Sequence, residues 1–488
     1  MRDMLLKLLL MFGILASAVS VASAGSLRVA TFDVDASPPI ESPLAYDPNV
    51  EVTTPLSCRG IVLLGDEAPI VLCAVDWIGI RNGGNELFRE QLAAAAGTTP
   101  DRVAVHVLHP HDAPQGDFSV TDLAAQLQIS GFAYDAGFAR DVLQRAAATV
   151  RGAVVRAQPV THLGIGSAPV ENVASNRRIL GPDGKVEHIR WTATRDPEVR
   201  AFPEGVIDQQ LKLVSFWNGD QPLVTLTYYA THPQSYYRTG QANPDFPGLA
   251  RNARDDATGV LHVHFDGAGG NIGAGKYNDG SHENRQVLAD RMEDGMRRAW
   301  EAAERIAVSA DDLDWSSVPV LLPPADHLDK ATLLETLHDD TQPPVDRQNA
   351  ARRLVWLERC LAEDPIDVSC LSLGDVRILH LPGELFVEYQ LAAQKLRPDL
   401  FVCMAAYGDG APGYIGTRIA YNEGGYEPSP RASLVAPDVE DVLIGAIRTL
   451  LDAENVPLDP LGVAAHEREV AAARERTASP DESARVKE

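Results

Sequence analysis

Residues 103–112 read Val103-Ala-Val-His-Val-Leu108-His109-Pro-His111-Asp112, and this stretch decides the fold. A short apolar run, Val103 to Leu108, predicts a buried strand. It ends abruptly in two histidines and an aspartate. The same event recurs downstream: Leu223 to Ala230 runs into Thr231-His232-Pro233, Val260 to Phe265 into Asp266-Gly-Ala-Gly-Gly-Asn271, and Val376 to Leu381 into Pro382-Gly383-Glu384. In open α/β sheets, sites collect at the carboxyl ends of strands, where loops expose side chains. The recurrence predicts one site assembled from distant segments.

Outward from these strand ends, short apolar runs alternate with amphipathic helical stretches. Ile61 to Leu64 and Ile70 to Val75 read as strands joined by a Gly-Asp-Glu turn, and Glu86 to Ala96 as a helix. Ala136 to Arg156 predicts a long helix, Leu211 to Thr227 two strands around Asn218-Gly219-Asp220, and Asn284 to Arg305 a helix rich in i,i+4 charge pairs. Glu384 to Lys395 reads as a helix and Leu400 to Ala405 as a strand. The expected class is α/β (α+β): mixed sheets flanked by helices in one large catalytic domain over 25–455. Residues 310–372, with Pro-Pro pairs and a helix near 346–362, read as an insertion or connecting subdomain. Residues 456–488 read as a charged, solvated tail. No internal repeat of fixed period is visible.

Composition narrows the function. Of 488 residues, 43 are Lys or Arg and 68 are Asp or Glu, a net charge of −25. That excludes a phosphate-backbone partner, because nucleic-acid affinity rests on Lys and Arg neutralising phosphates. It disfavours adsorption to anionic lipid headgroups, and it leaves room for a neutral lipid substrate with transient contact at a membrane surface. Arg2 and Lys7, the apolar run Leu5 to Val21 and the small residues Ala22-Ser23-Ala24 read as a secretory signal peptide over 1–24. The mature chain is expected to be exported, secreted or periplasmic. Export permits disulfides. Cys360 and Cys370 are close enough in sequence to close a small loop, and the odd count of 5 Cys leaves a thiol free.

His109, His111, His232 and Glu384 suit a metal. Neutral imidazoles and a carboxylate bind zinc, which keeps a position open for water and lowers its pKa to roughly 7. Spacing alone leaves the assignment open: there is no His-Glu-x-x-His element, and each histidine taken singly also reads as a hydrogen-bonded strand-end residue. The glycine-rich loop from Gly267 to Gly275 is not a phosphate-binding P-loop, because Lys276 is followed by Tyr277. Its glycines read as positions of close backbone approach. Asp76 ends a strand and reads either as a group orienting a ligand histidine or as a turn residue. Asp245 reads as a helix cap or a site residue.

These residues, in this order, resemble the catalytic domain of the neutral (non-lysosomal) ceramidases. The resemblance rests on Ser-Pro-Pro near the start, His109-Pro-His111, Asn176-Arg177, Thr231-His232-Pro233, Asp245-Phe-Pro-Gly, Gly383-Glu384, and above all Gly413-Tyr414-Ile-Gly-Thr-Arg418 with Tyr421 and Tyr426. It covers about residues 26 to 450. It implies a zinc-dependent amidohydrolase in which His109, His232, Glu384 and Tyr414 hold Zn²⁺. His111, Arg177 and Tyr426 are the implied catalytic groups, and a lipid amide such as ceramide is the substrate class. Hydrolysis of another amide or an ester, or a non-catalytic binding role on the same scaffold, are the alternatives. The first motif reads His-Pro-His-Asp where ceramidases usually have His-Thr-His-Ser. Gly-Ala-Gly-Lys stands near Asn271 where they usually have Asp-x-Ser-Pro. The family's C-terminal immunoglobulin-like domain has no counterpart.

Overall fold

In the computed structural model, which describes residues 26–129 and 132–478, one chain path is drawn three times. Three strands form an antiparallel meander and a helix crosses over. A fourth strand then pairs parallel with the third, and a second helix packs against the first strand. The first unit uses strands Arg28–Asp35, Ser57–Leu64 and Ile70–Val75, helix Gly83–Ala96, strand Val103–Val107 and helix Ala136–Val154. The second uses His162–Pro169, Gln210–Asn218, Gln221–Tyr229, helix Asp245–Thr258, strand Leu261–Asp266 and helix Glu283–Glu301. The third uses Leu313–Val320, Ile366–Leu373, Val376–His380, helix Val387–Leu396, strand Phe401–Ala405 and helix Val439–Leu450. Short strands Gln158–Pro159 and Glu304–Ala307 extend the edges of the first two sheets.

Strand side chains alternate between two cores, as the pleat requires. Ile61 and Leu63 of the first sheet, Val214 and Phe216 of the second, and Leu371 and Leu373 of the third meet in a central core shared by all three sheets. Their neighbours face outward. Val62 and Leu64 pack beneath the helices of the first unit, Leu211 and Leu213 beneath those of the second, and Val368 and Cys370 beneath those of the third. Burial on both faces explains why these strands read as continuous apolar runs. Each unit also ends with two parallel strands, so three pairs of carboxyl ends supply the loops that carry the polar groups.

The expected α/β class with mixed sheets is what the chain forms. Residues 310–372, expected as an insertion, supply two of the four strands of the third sheet, and only helices Lys330–His338 and Pro344–Leu361 stand between them. The tail expectation is corrected over its described part: Val463–Ala478 is a helix that buries Val470 and Ala473. It also binds Glu423 through His466 Nδ1 at 2.8 Å. The cysteine expectation is corrected too, since Cys360 and Cys370, like the other three, are free. The signal-peptide residues 1–24 lie outside the described residues. Among the described residues no helix is long and apolar enough to cross a membrane.

Candidate metal centre

His109 follows strand Val103–Val107 with φ 57, a left-handed conformation that a non-glycine residue adopts only under tertiary constraint. Two hydrogen bonds supply the constraint. Its backbone N–H donates to the Trp77 carbonyl at 2.9 Å, and its Nδ1–H donates to the Ile78 carbonyl at 2.5 Å. The bond to the Ile78 carbonyl fixes a proton on Nδ1 and turns Nε2 inward. That Nε2 is buried with no hydrogen-bond partner, and so is Glu384 Oε2. The two atoms face each other at 3.5 Å. Asp76 does not play the orienting part that its strand-end place suggested. Its carboxylate is taken by Arg251, at 2.7 and 3.0 Å, and by Ser57.

His232 comes from the second sheet. Its ring lies 4.8 Å from that of His109 and stacks on Tyr414 at 6.2 Å, and Tyr407 OH approaches its Nδ1 at 3.3 Å. His111 Nε2 lies 3.0 Å from His232 Nε2. Gln234 Nε2 donates to His111 Nδ1 at 2.9 Å, and Tyr46 OH reaches the same nitrogen at 3.0 Å. With Nδ1 accepting, this network places the His111 ring proton on Nε2, facing the site. Burial, reinforced by the neighbouring imidazoles, pushes His111 and His232 well below the usual histidine range, so both are neutral. Burial alone would raise Glu384. Nearby His109, Tyr414 and Arg81 outweigh it and hold the carboxyl below its usual range, as an anion.

Glu384 and Tyr414 are direct partners in a short parallel pairing, Glu384–Leu385 against Tyr414–Ile415. Gly270 makes room for this: a Cβ there would lie 2.2 Å from the Glu384 carbonyl oxygen. Arg177 is carried by a two-residue pairing of Ser175–Asn176 with Ile272–Gly273. It donates through Nη1 to Tyr414 OH at 3.1 Å and to the Gly270 carbonyl at 3.4 Å. Its Nε lies 3.3 Å from the buried Glu427. Burial opposes the charge, yet Tyr414 and Glu427 hold Arg177 above the usual arginine range. The ring of Tyr426 packs on that of Tyr414 at 5.7 Å and under Arg177 at 5.8 Å. Lys276 of the Gly-Ala-Gly-Lys loop points elsewhere, donating to the carbonyls of Arg200 and Phe202 at 2.7 and 2.6 Å. Asp245 opens its helix and accepts from the backbone N–H groups of Phe246 and Ser235.

All seven residues singled out in the sequence thus stand in one cluster. His109, His111 and His232 can hold a metal ion, their ligand atoms lying within 4.8 Å of one another. The donor chemistry fits. A buried unpartnered polar atom costs about 1–3 kcal/mol, more when charged, and here an imidazole nitrogen and a carboxylate oxygen converge on one point. Sequence reasoning missed Tyr46, Gln234, Tyr407, Glu427 and Trp191, whose ring packs edge-on against Tyr426 at 5.5 Å. Tyr407 follows strand Phe401–Ala405 at φ 59, so the strand-end criterion that found the histidines reaches it as well.

No protein-family model matches the chain, and no curated protein does. Among solved structures the fold is similar to the neutral ceramidase from Pseudomonas aeruginosa. The TM-score is 0.63 at 16% identity, over 91% of this chain and 75% of that one. It is also similar to a ceramidase complexed with C2, with TM-score 0.62 and 16% identity, over 93% of this chain and 76% of that one. At this identity the likeness shows the shared fold.

Proposed function

We propose that this chain is an exported zinc-dependent hydrolase of an amide bond, with an N-acyl lipid of the ceramide type as its leading substrate class. One observation carries the reading: the buried His109 Nε2 and Glu384 Oε2, without hydrogen-bond partners and facing each other at 3.5 Å beside the neutral His111 and His232. The ceramidase neighbours support it through the fold. In this reading His109, His232, Glu384 and Tyr414 hold the ion. When bound, zinc supplies a Lewis acid and a water acidic enough to attack a carbonyl at neutral pH. His111, neutral in the resting site, would take up the proton that the attacking water loses and then pass a proton from Nε2 to the departing amine. Arg177 uses Nε and Nη1 on protein partners and leaves Nη2 uncommitted among the described residues, so it donates to the developing oxyanion. Tyr426, beside it, adds a second donor.

The test is turnover of matched N-acyl amides and esters by zinc-loaded protein, before and after chelation. The reading expects amide hydrolysis that chelation abolishes, that zinc restores and that His232→Ala lacks. Ester-only turnover replaces the amide assignment. A metal-free protein that binds amides without cleaving them is a binding protein.

A further inference from the structure

At the outer edge of the cluster stands an arginine without an acid. Arg238 is exposed, and among the described residues its guanidinium makes no ion pair. Its neighbours are aromatic: the guanidinium carbon lies 5.0 Å from the ring centre of Tyr46 and 5.8 Å from that of Tyr237. Both rings lie in turn on His111, at 5.9 and 5.4 Å. The cation is therefore one aromatic layer from the group that faces the metal cluster.

Its placement is built. Arg238 has φ 65, and its backbone N–H donates to Asp112 Oδ1 at 2.9 Å. Asp112 follows His111 in sequence, so one short segment positions both. The Asp112 carboxylate does not neutralise the guanidinium. Its oxygens are taken by the backbone of Arg238 and Thr239 and by the Thr239 hydroxyl, with Arg285 at 3.7 Å. The site's inner arginines differ, for Arg177 and Arg178 both rest on Glu427. The two tyrosine rings adjoin, their centres 5.1 Å apart, so they hold the guanidinium from one side and leave its planar fork open to receive a carboxylate or phosphate bidentately. A chain of net charge −25 offers an anion nothing at long range, so such recognition has to be local.

We infer that Arg238 binds an anionic group, carboxylate or phosphate, carried by the amide substrate beyond the scissile bond. This rests on the hydrolase reading above. The experiment compares three amides of one acyl chain with the zinc-loaded protein: N-lauroylglycine, N-lauroyl-O-phosphoethanolamine and neutral N-lauroylethanolamine. A charge-assisted contact predicts a kcat/KM advantage of about tenfold or more for an anionic amide over the neutral one. That ratio collapses toward one in Arg238→Gln and is partly kept in Arg238→Lys. Preference for the glycine amide identifies carboxylate, and preference for the phosphoethanolamine amide identifies phosphate. Cleavage of all three without discrimination, or a ratio unmoved by Arg238→Gln, overturns this inference alone. Cleavage of none overturns the hydrolase reading with it.

Discussion

Glu427 is the carboxylate on which the site's arginine rests, and its removal has a calculable cost. The residue is fully buried. Oε1 lies 3.3 Å from Arg177 Nε and Oε2 3.1 Å from Arg178 Nη1. Arg178 has a second acid in Glu423, at 2.9 Å, whereas among the described residues Arg177 pairs with Glu427 alone. Glu427→Ala therefore strands a buried guanidinium inside the site. Removing one partner of a buried ion pair costs about 3–5 kcal/mol, because the remaining charge stays desolvated and unpaired. Glu427→Gln keeps the shape and one acceptor oxygen, and its cost falls to about 1–3 kcal/mol. The exposed Lys395–Asp459 pair, with side chains 59% and 83% exposed, is the control. Asp459→Ala leaves stability essentially unchanged, because an exposed pair is screened by solvent. Urea unfolding of the four proteins at pH 7 gives the order wild type, Asp459→Ala, Glu427→Gln, Glu427→Ala. Hydrolysis of the amide substrate falls in both Glu427 variants, because Arg177 loses its orientation. A Glu427→Ala protein no less stable than Asp459→Ala refutes the reasoning.

Gly270→Ala places a Cβ against the Glu384 carbonyl, 2.2 Å away before relaxation, and pushes the short Glu384–Tyr414 pairing apart. Zinc affinity, measured by chelator competition, is expected to fall about 10-fold or more, the scale on which misplaced ligands weaken metal sites. Asp117 is buried, and burial raises its carboxyl to about 6 from 3.8. The folded state therefore holds the proton more tightly than the unfolded state. The group's stabilising contribution is full below the unfolded value and is lost as pH rises through about 6. Asp117→Asn, which keeps the cap on the helix Phe118–Gln126, should gain on wild type by about 3 kcal/mol in unfolding experiments between pH 4 and 7.5. Deleting residues 463–488 uncovers the surface beneath Val470 and Ala473 and leaves Glu423 without His466. Stability should drop by about 2 kcal/mol or more, with the metal site intact.

Much of the candidate site was legible because polar side chains interrupt apolar strands abruptly. His109, His111, His232 and Glu384 each follow such a run, and burial on both faces made the runs continuous enough to see. Tyr414 follows no such strand and came only through the family resemblance. Glu427 was illegible for a different reason. Its partners Arg177 and Arg178 are remote, Arg178 being 249 residues away, and no period connects them. The threefold chain path escaped as well, because the repeat lies in strand order while the loops between strands differ in length. Strand Leu313–Val320 breaks its alternation at Ser316 and Ser317 and carries Pro319, so it read as irregular. In the C-terminal helix two buried residues, Val470 and Ala473, are too sparse to lift a charged run above the composition of a solvated tail.

In the proposed reading His109, His232, Glu384 and Tyr414 hold one zinc ion while His111 moves protons beside it. Zinc per chain, measured by mass spectrometry of metals after dialysis, tests it most directly in wild type, His109→Ala, His111→Ala and Glu384→Gln. The account predicts about one zinc in wild type and in His111→Ala, with little in the other two. A wild type without zinc contradicts it, and so does a His111→Ala protein that loses zinc while Glu384→Gln retains it.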